Sequence, residues 1–347
     1  MHVIDGIFFT RRLTGIQRVA YNIVRELDEI ASPGELQILV PEYCTERIDY
    51  KNIEVVRYGK RKGYLWEQLD LSSYLRKKRA KGLFLENAVP FFYRKGIVTL
   101  HDISLKVNPG FYTGSARKTV TMLIWRAIYR SIVNSDMKIV TVSEFSRSEI
   151  LRVYGIDEKR ITVIGGGWQH MNDISEDEGI IKRLCLREES YYFCMATAAP
   201  NKNLNWILKA AEKYSDETFV IAGQGTADLA KRNITSNVIP AGYVSDGEAK
   251  SLMRHCKAFL FPTFYEGFGL PPMEALSAGA KAVILSDTLC MREVYGDAAG
   301  YIDPYDYENI RLPIKILTKE ELDELLSRYS WKKSAKKYLE CLRDDEG

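Results

Sequence analysis

Nowhere in its 347 residues does the chain carry a run of about 18 apolar residues, the length a helix needs to cross a bilayer. No transmembrane helix is therefore expected. The first nine residues, MHVIDGIFF, lack the basic stretch and the long apolar core of a signal peptide. They read as a buried first strand, and the expected location is the cytoplasm. The six cysteines (44, 185, 194, 256, 290 and 341) are scattered, form no Cys-x-x-Cys pair and have none of the four histidines clustered with them. That argues against a disulfide framework and against a structural zinc site, leaving small buried hydrophobes in a reducing compartment. No Gly-x-Gly-x-x-Gly follows the first strand, and GQGTAD at Gly223 lacks the third glycine, which removes the dinucleotide-dependent dehydrogenases. The basic runs are local and no recognition motif accompanies them, so nucleic acid is not an expected partner. Internal repeats and low-complexity segments are absent too.

What is present is an ordinary globular composition, 46% hydrophobic and 27% charged, over a length that suits two domains of about 150 residues each. The net charge of +3 hides an asymmetry: residues 1–170 hold 27 Lys+Arg against 18 Asp+Glu, and residues 171–347 hold 22 against 28. A basic first half suits an anionic surface or substrate. Short apolar runs (LQILV, IEVVRYG, KGLFLEN, GIVTLHD, KIVTVSE, RITVIGG) alternate with helical spacings such as Ile16, Val19, Ile23, Val24 and Leu27. The pattern restarts after residue 170 with YYFCMAT, TFVIAG, NVIPAGY, KAFLFP and KAVILSD. Strand–helix alternation means a parallel sheet covered on both faces. The expected fold is α/β, with two Rossmann-like domains (1–170 and 171–330) and a C-terminal helix (331–347) that returns to the first.

The chemistry concentrates in FPTFYEGFGLPPMEALSAGAK, Phe261 to Lys281. Pro271 and Pro272 suit a first helical turn, and Gly279 a C-terminal stop. The spacing then predicts a helix to about Ala278 with Glu274 in its first turn. A glycine-bearing loop that follows a strand and enters a helix N-terminus is a phosphate cradle. Glu266 and Glu274 would repel phosphate, so they must hold something else, and carboxylates are good acceptors for hydroxyls. A phosphate flanked by hydroxyl-rich groups describes a nucleotide sugar. The blander reading gives Glu274 to the helix dipole and Glu266 to solvent.

EGFGLPPMEALSAGA resembles the E-x7-E motif of the retaining glycosyltransferases of family 4, whose fold is the two-domain glycosyltransferase B fold with the domains facing across a cleft. Other segments carry the resemblance in order along nearly the whole chain: TGIQRVAYNIVREL (14–27), TLHDIS (99–104), TVSEFSRSEI (141–150), VIGGGW (163–168), ATAAPNKNL (196–204), and SDTLCMREVYGDAAGYIDP (286–304). The resemblance implies that Lys202 contacts the donor diphosphate, that Glu266 hydrogen-bonds the transferred sugar and that Glu274 binds the ribose. It places the loop Gly267, Phe268, Gly269 and Leu270 against sugar and phosphate, Gly15 beside the diphosphate, and Tyr243 and Val244 at the base. It sets His101 beside the reacting sugar, through ring or carbonyl, with Asp102 orienting that loop or helping to position the acceptor. Many relatives carry Arg five residues before the lysine, where this chain has Thr197. Arg11, Arg12 and Arg18 are candidates to complete the diphosphate clamp, and the Thr197 segment leans toward a mannosyl- or rhamnosyl-type donor.

The expected reaction is hexose transfer with retention, through a front-face route in which the leaving phosphate takes the acceptor proton. No second carboxylate is placed for double displacement. No Asp-x-Asp pair stands at the site, so neither a metal nor another cofactor is expected. The expected acceptor is a saccharide, including one linked to a polyprenyl diphosphate, in surface polysaccharide synthesis. Basic residues 60–62, 76–79 and 81 surround Tyr64, Leu65, Trp66, Leu69 and Tyr74 on an amphipathic segment, which suits peripheral contact with the inner face of an anionic membrane. Two alternatives stand: a nucleotide-sugar epimerase or sugar phosphorylase on the same fold, and a binding scaffold with a degenerate site.

Overall fold

The computed structural model describes residues 1–91, 93–112, 116–231 and 234–345. The chain divides into two compact units, Met1–Gly167 with Ser330–Gly347, and Trp168–Tyr329.

The first unit is built on seven strands: β1 (His2–Asp5), β2 (Leu36–Val40), β3 (Glu54–Arg57), β4 (Lys81–Phe84), β5 (Gly96–Thr99), β6 (Lys138–Thr141) and β7 (Ile161–Val163), in the order β3-β2-β1-β4-β5-β6-β7. The second is built on six: β8 (Tyr191–Met195), β9 (Thr218–Ala222), β10 (Val238–Gly242), β11 (Ala258–Phe261), β12 (Val283–Ser286) and β13 (Gly300–Ile302), in the order β10-β9-β8-β11-β12-β13. Every pairing is parallel. The central strands are apolar at successive positions because helices cover both faces. Pro240, which has no N–H for a ladder, sits in the edge strand β10.

The helix Trp331–Asp344 belongs to the first unit although it follows the second in sequence. Trp331, Ser334, Ala335, Tyr338, Leu339 and Leu342 are buried on one helical stripe. Ser334 Oγ donates to Gly165 O at 2.7 Å, Tyr338 Oη lies 2.9 Å from Thr99 Oγ1, and Arg343 grips Glu35 through two bonds of 2.8 and 3.1 Å.

Two segments differ from the sequence expectation. The first strand stops at Asp5, and Ile7–Thr10 form a 3-10 turn, because Asp5 Oδ1 accepts the N–H of Ile7 at 3.1 Å and bends the chain. The basic amphipathic segment starts as a π-helix, Trp66–Leu71, before turning α-helical at Ser72–Lys78. Trp66 and Tyr74 are buried rather than surface anchors, and the indole N–H of Trp66 donates to Tyr58 O at 2.7 Å. Tyr64, Leu65 and Leu69 are the large hydrophobic residues of this stretch left exposed. Among the described residues no helix is long and apolar enough to cross a membrane.

Candidate functional site

In an open parallel sheet, ligands bind beyond the carboxyl ends of the strands, where the strand order reverses and the two loops diverge. The second unit reverses between β8 and β11. The loop after β8 ends in a short turn, Pro200–Lys202, and then Asn203 in the left-handed region at φ 54°. Asn203 is buried and held twice, donating to Pro304 O at 2.8 Å and accepting from Tyr307 Oη at 2.9 Å. The loop after β11 meets it: Phe264 N–H donates to Asn201 O at 2.9 Å. The two loops bring Lys202 Nζ to 2.6 Å from Glu266 Oε1, with the ammonium 5.5 Å from the centroid of the Phe261 ring. The pair is half-buried, at 22% and 16% side-chain exposure, so it is held in place yet open to a ligand.

Beyond Glu266 the chain runs through Gly267 and Phe268 to Gly269, which precedes the helix Leu270–Ala278 at φ 79°. That φ is what favours glycine here; a side chain would also meet the flexible end of Met291, Cε at 2.5 Å. The buried Tyr295 donates its hydroxyl to Gly269 O and accepts the N–H of Met273, which pins the loop to the helix. Pro271 and Pro272 occupy the second and third helical positions and remove two of the N–H groups a helix start normally offers an anion. Among the described residues no hydrogen bond engages the amides of Phe268 and Gly269. Phe268 stands edge-on to Tyr329, centroids 5.1 Å apart.

Glu274 lies in the second turn of this helix, not the first, because the helix begins only at Leu270. It is buried at 4% exposure, with Oε1 2.9 Å from Nε2 of the equally buried His170. The dipole-capping reading fails on that position. His170 comes from the short turn Gln169–Asp173. Nothing in the pattern around it marked it out, since the contact spans 104 positions. Thr197 is exposed just past β8, where Gly223 at φ 130° lets the neighbouring loop approach: a Cβ there would lie 2.1 Å from Ala196 O. Tyr243 is 68% exposed and Val244 is buried, both directly after β10.

The first unit reverses between β1 and β4, and the residues after those strands also form a charged cluster. Arg11 donates to Glu67 at 2.5 Å and Glu86 at 2.6 Å. Its guanidinium is thus shared between two carboxylates of this unit and is about a third exposed. Gly15 starts the helix Gly15–Ile30, and an added Cβ would meet nothing within 4 Å. The fold does not need glycine there, so the space before it is open to a ligand. His101 is buried two residues past β5, and burial pushes its pKa down. Its Nε2 lies 2.9 Å from Leu85 O. A carbonyl only accepts, so Nε2 carries the proton and Nδ1 the lone pair. Asp102 Oδ1 accepts the N–H of Ser104 at 2.7 Å, turning the chain after His101.

Residues 13–168 match the family described as Glycosyltransferase Family 4, and residues 178–338 match Glycosyl transferases group 1. The chain belongs to the group 1, family 4 glycosyltransferases. O-antigen chain mannosyltransferase B of Escherichia coli is 30% identical to this glycosyltransferase over 237 residues, covering 64% of this chain and 61% of that one. O-antigen chain mannosyltransferase RfbU of Salmonella typhimurium is 27% identical over 245 residues, covering 68% and 64%. The matched stretch is therefore less than two thirds of either relative. Among solved structures, sucrose-phosphate synthase from Thermosynechococcus elongatus superposes with a TM-score of 0.74 at 12% identity, covering 99% of this chain and 98% of that one. The fold is the glycosyltransferase B fold, two parallel-sheet Rossmann-like domains.

Proposed function

We propose that this glycosyltransferase moves a hexose, of mannose or rhamnose type, from a nucleoside-diphosphate sugar to a saccharide acceptor in surface polysaccharide synthesis, with retention. The observation that carries this reading is the Lys202–Glu266 pair at the switch point of the second unit. The bond from the sugar C1 to the leaving phosphate oxygen breaks, the bond from C1 to the acceptor oxygen forms, and the acceptor proton passes to the leaving diphosphate. Lys202 offsets the charge growing on that diphosphate. Glu266 accepts from sugar hydroxyls, and Glu274, steadied by His170, accepts from the ribose. The family resemblance assigns His101, which carries its proton on Nε2, a role toward the transferred sugar. The two O-antigen mannosyltransferase relatives favour a mannose-type donor.

The reaction as proposed uses no metal. Glu176, Glu178 and His255 lie close enough to share an ion, but none of them belongs to the loops that carry Lys202 and Glu266. The test is binding of GDP-, UDP- and dTDP-sugars, followed by release of nucleoside diphosphate with and without a chelator. One donor should bind, Glu266→Ala and Glu274→Ala should each weaken it at least about tenfold, and turnover should be unchanged in chelator. If no donor binds, the reading fails, and a scaffold with a degenerate site, which Thr197 favours, takes its place.

The acceptor in this reading is carried on a lipid diphosphate and met at the inner face of the membrane. Tyr64, Leu65 and Leu69 stand exposed beside Lys60, Arg61 and Lys62, and Val120, Leu123 and Ile124 are exposed on the helix Ala116–Val133. Apolar side chains among basic ones suit an anionic bilayer surface. Co-sedimentation with anionic vesicles at low salt is expected, reduced severalfold by Leu65→Glu with Leu69→Glu. Equal recovery of wild type and variant would remove the membrane contact.

A further inference from the structure

His101 is held by three hydrogen bonds, and two of them come from the residues on either side of Glu86. Leu85 O accepts the Nε2 proton at 2.9 Å, Asn87 Oδ1 accepts the His101 N–H at 2.7 Å, and Ser146 Oγ donates to the His101 carbonyl at 3.2 Å. Asn87 has φ 26°, a backbone an L-residue keeps only where its surroundings hold it. Its neighbour Glu86 is firmly anchored. It is 7% exposed, its Oε2 accepts from Arg11 at 2.6 Å, and its Oε1 accepts from the Gln17 amide. Gln17 in turn accepts from Thr14 Oγ1. One chain of contacts thus joins the loop before Gly15 to the ring of His101.

We propose that Glu86, clamped by Arg11 and Gln17, is a positioning residue that sets the tautomer and backbone of His101 through Leu85 and Asn87. The proposal rests on the reading above that His101 has a role toward the transferred sugar. Glu86 adds charge to a crowded site. Asp5 at the end of β1, Glu67 on the π-helical turn and Glu86 share the single guanidinium of Arg11, and Tyr64 lies within the field of Glu67. Burial pushes the carboxyl of Asp5 up to about 7 and that of Glu67 up to about 8, with Arg11 opposing. Acids whose pKa values rise on folding stabilise the fold at low pH and lose that contribution as pH climbs through the folded values. The hold on His101 should therefore slacken as pH rises through about 7 to 8, with the loss complete above that window.

The experiment uses the full chain with ¹⁵N-labelled histidine, reading the ring tautomer of His101 by NMR beside the pH profile of turnover. In Glu86→Ala the Nε2–H form should give way to a tautomer mixture, with kcat down about tenfold and the donor KM changed less than about twofold. Asn87→Ala should reproduce this loss with the acidic cluster intact, and Arg11→Lys should restore part of what Arg11→Ala loses. Glu67→Gln should carry the alkaline fall in kcat to higher pH. An unaltered His101 tautomer in both Glu86→Ala and Asn87→Ala overturns the proposal. Unchanged turnover in His101→Ala overturns the role of His101 instead, and the tautomer still decides whether Glu86 positions it.

Discussion

Lys202→Ala should lower kcat by about 10²–10³-fold, the usual cost of removing one group aimed at charge that develops in the transition state. Release of nucleoside diphosphate from a saturating donor is the measurement. Two effects add here. The leaving diphosphate loses its cation, and Glu266, 2.6 Å from the lost ammonium, is left as an uncompensated carboxylate in a half-buried loop. The second effect should raise the donor KM, so Glu266→Gln in the Lys202→Ala background should recover part of the binding and little of the turnover. Lys202→Arg keeps the charge, but its planar fork cannot take the place of a compact ammonium over the Phe261 ring, and only partial activity is expected. A kcat within threefold of wild type in Lys202→Ala would remove the residue from the chemistry.

Trp331→Ala should cost about 3–5 kcal/mol, the usual range for deleting a fully buried tryptophan. Trp331 is 0% exposed at the start of the helix Trp331–Asp344. The fit is tight: a Cβ on Gly167 would lie 2.4 Å from the Trp331 backbone nitrogen and 2.8 Å from its ring. Thermal unfolding of the first unit should fall by roughly 10 °C, given about 2–4 °C per kcal/mol for a domain of this size. Hydrogen exchange would locate the loss, with β5 and β7 losing protection and β8 to β12 keeping theirs. A loss below about 1 kcal/mol would mean that the helix is an ornament to the unit rather than part of its core.

The strands were legible because a parallel sheet buried on both faces writes short apolar runs, as in AFLF of β11 and VILS of β12. The loop from Glu266 to Leu270 was legible because glycines and prolines mark backbone directly. Distant polar pairing was not. Nothing local joins His170 to Glu274, or Arg11 to Glu67 and Glu86, since each contact joins elements far apart in sequence. The π-helical turn at Trp66–Leu71 escaped for another reason. An apolar spacing that fits 3.6 residues per turn gives no warning of a wider turn, so Trp66 read as a surface residue and is in fact core. Asp5 likewise ended the first strand early through a bond to Ile7 that apolar patterning does not record.

The helix Trp331–Asp344 closes the first unit only after the whole second unit has been passed. On a ribosome the second unit emerges as one continuous stretch and can fold as soon as it clears the exit tunnel. The first unit, begun earlier, waits with its Trp331 slot and its Gly165 carbonyl uncovered until the last helix arrives. Synthesis at about 5–20 residues per second makes that wait roughly 10–30 s. The amino-terminal unit is thus the last to be finished, and it is the one that a chaperone would have reason to hold.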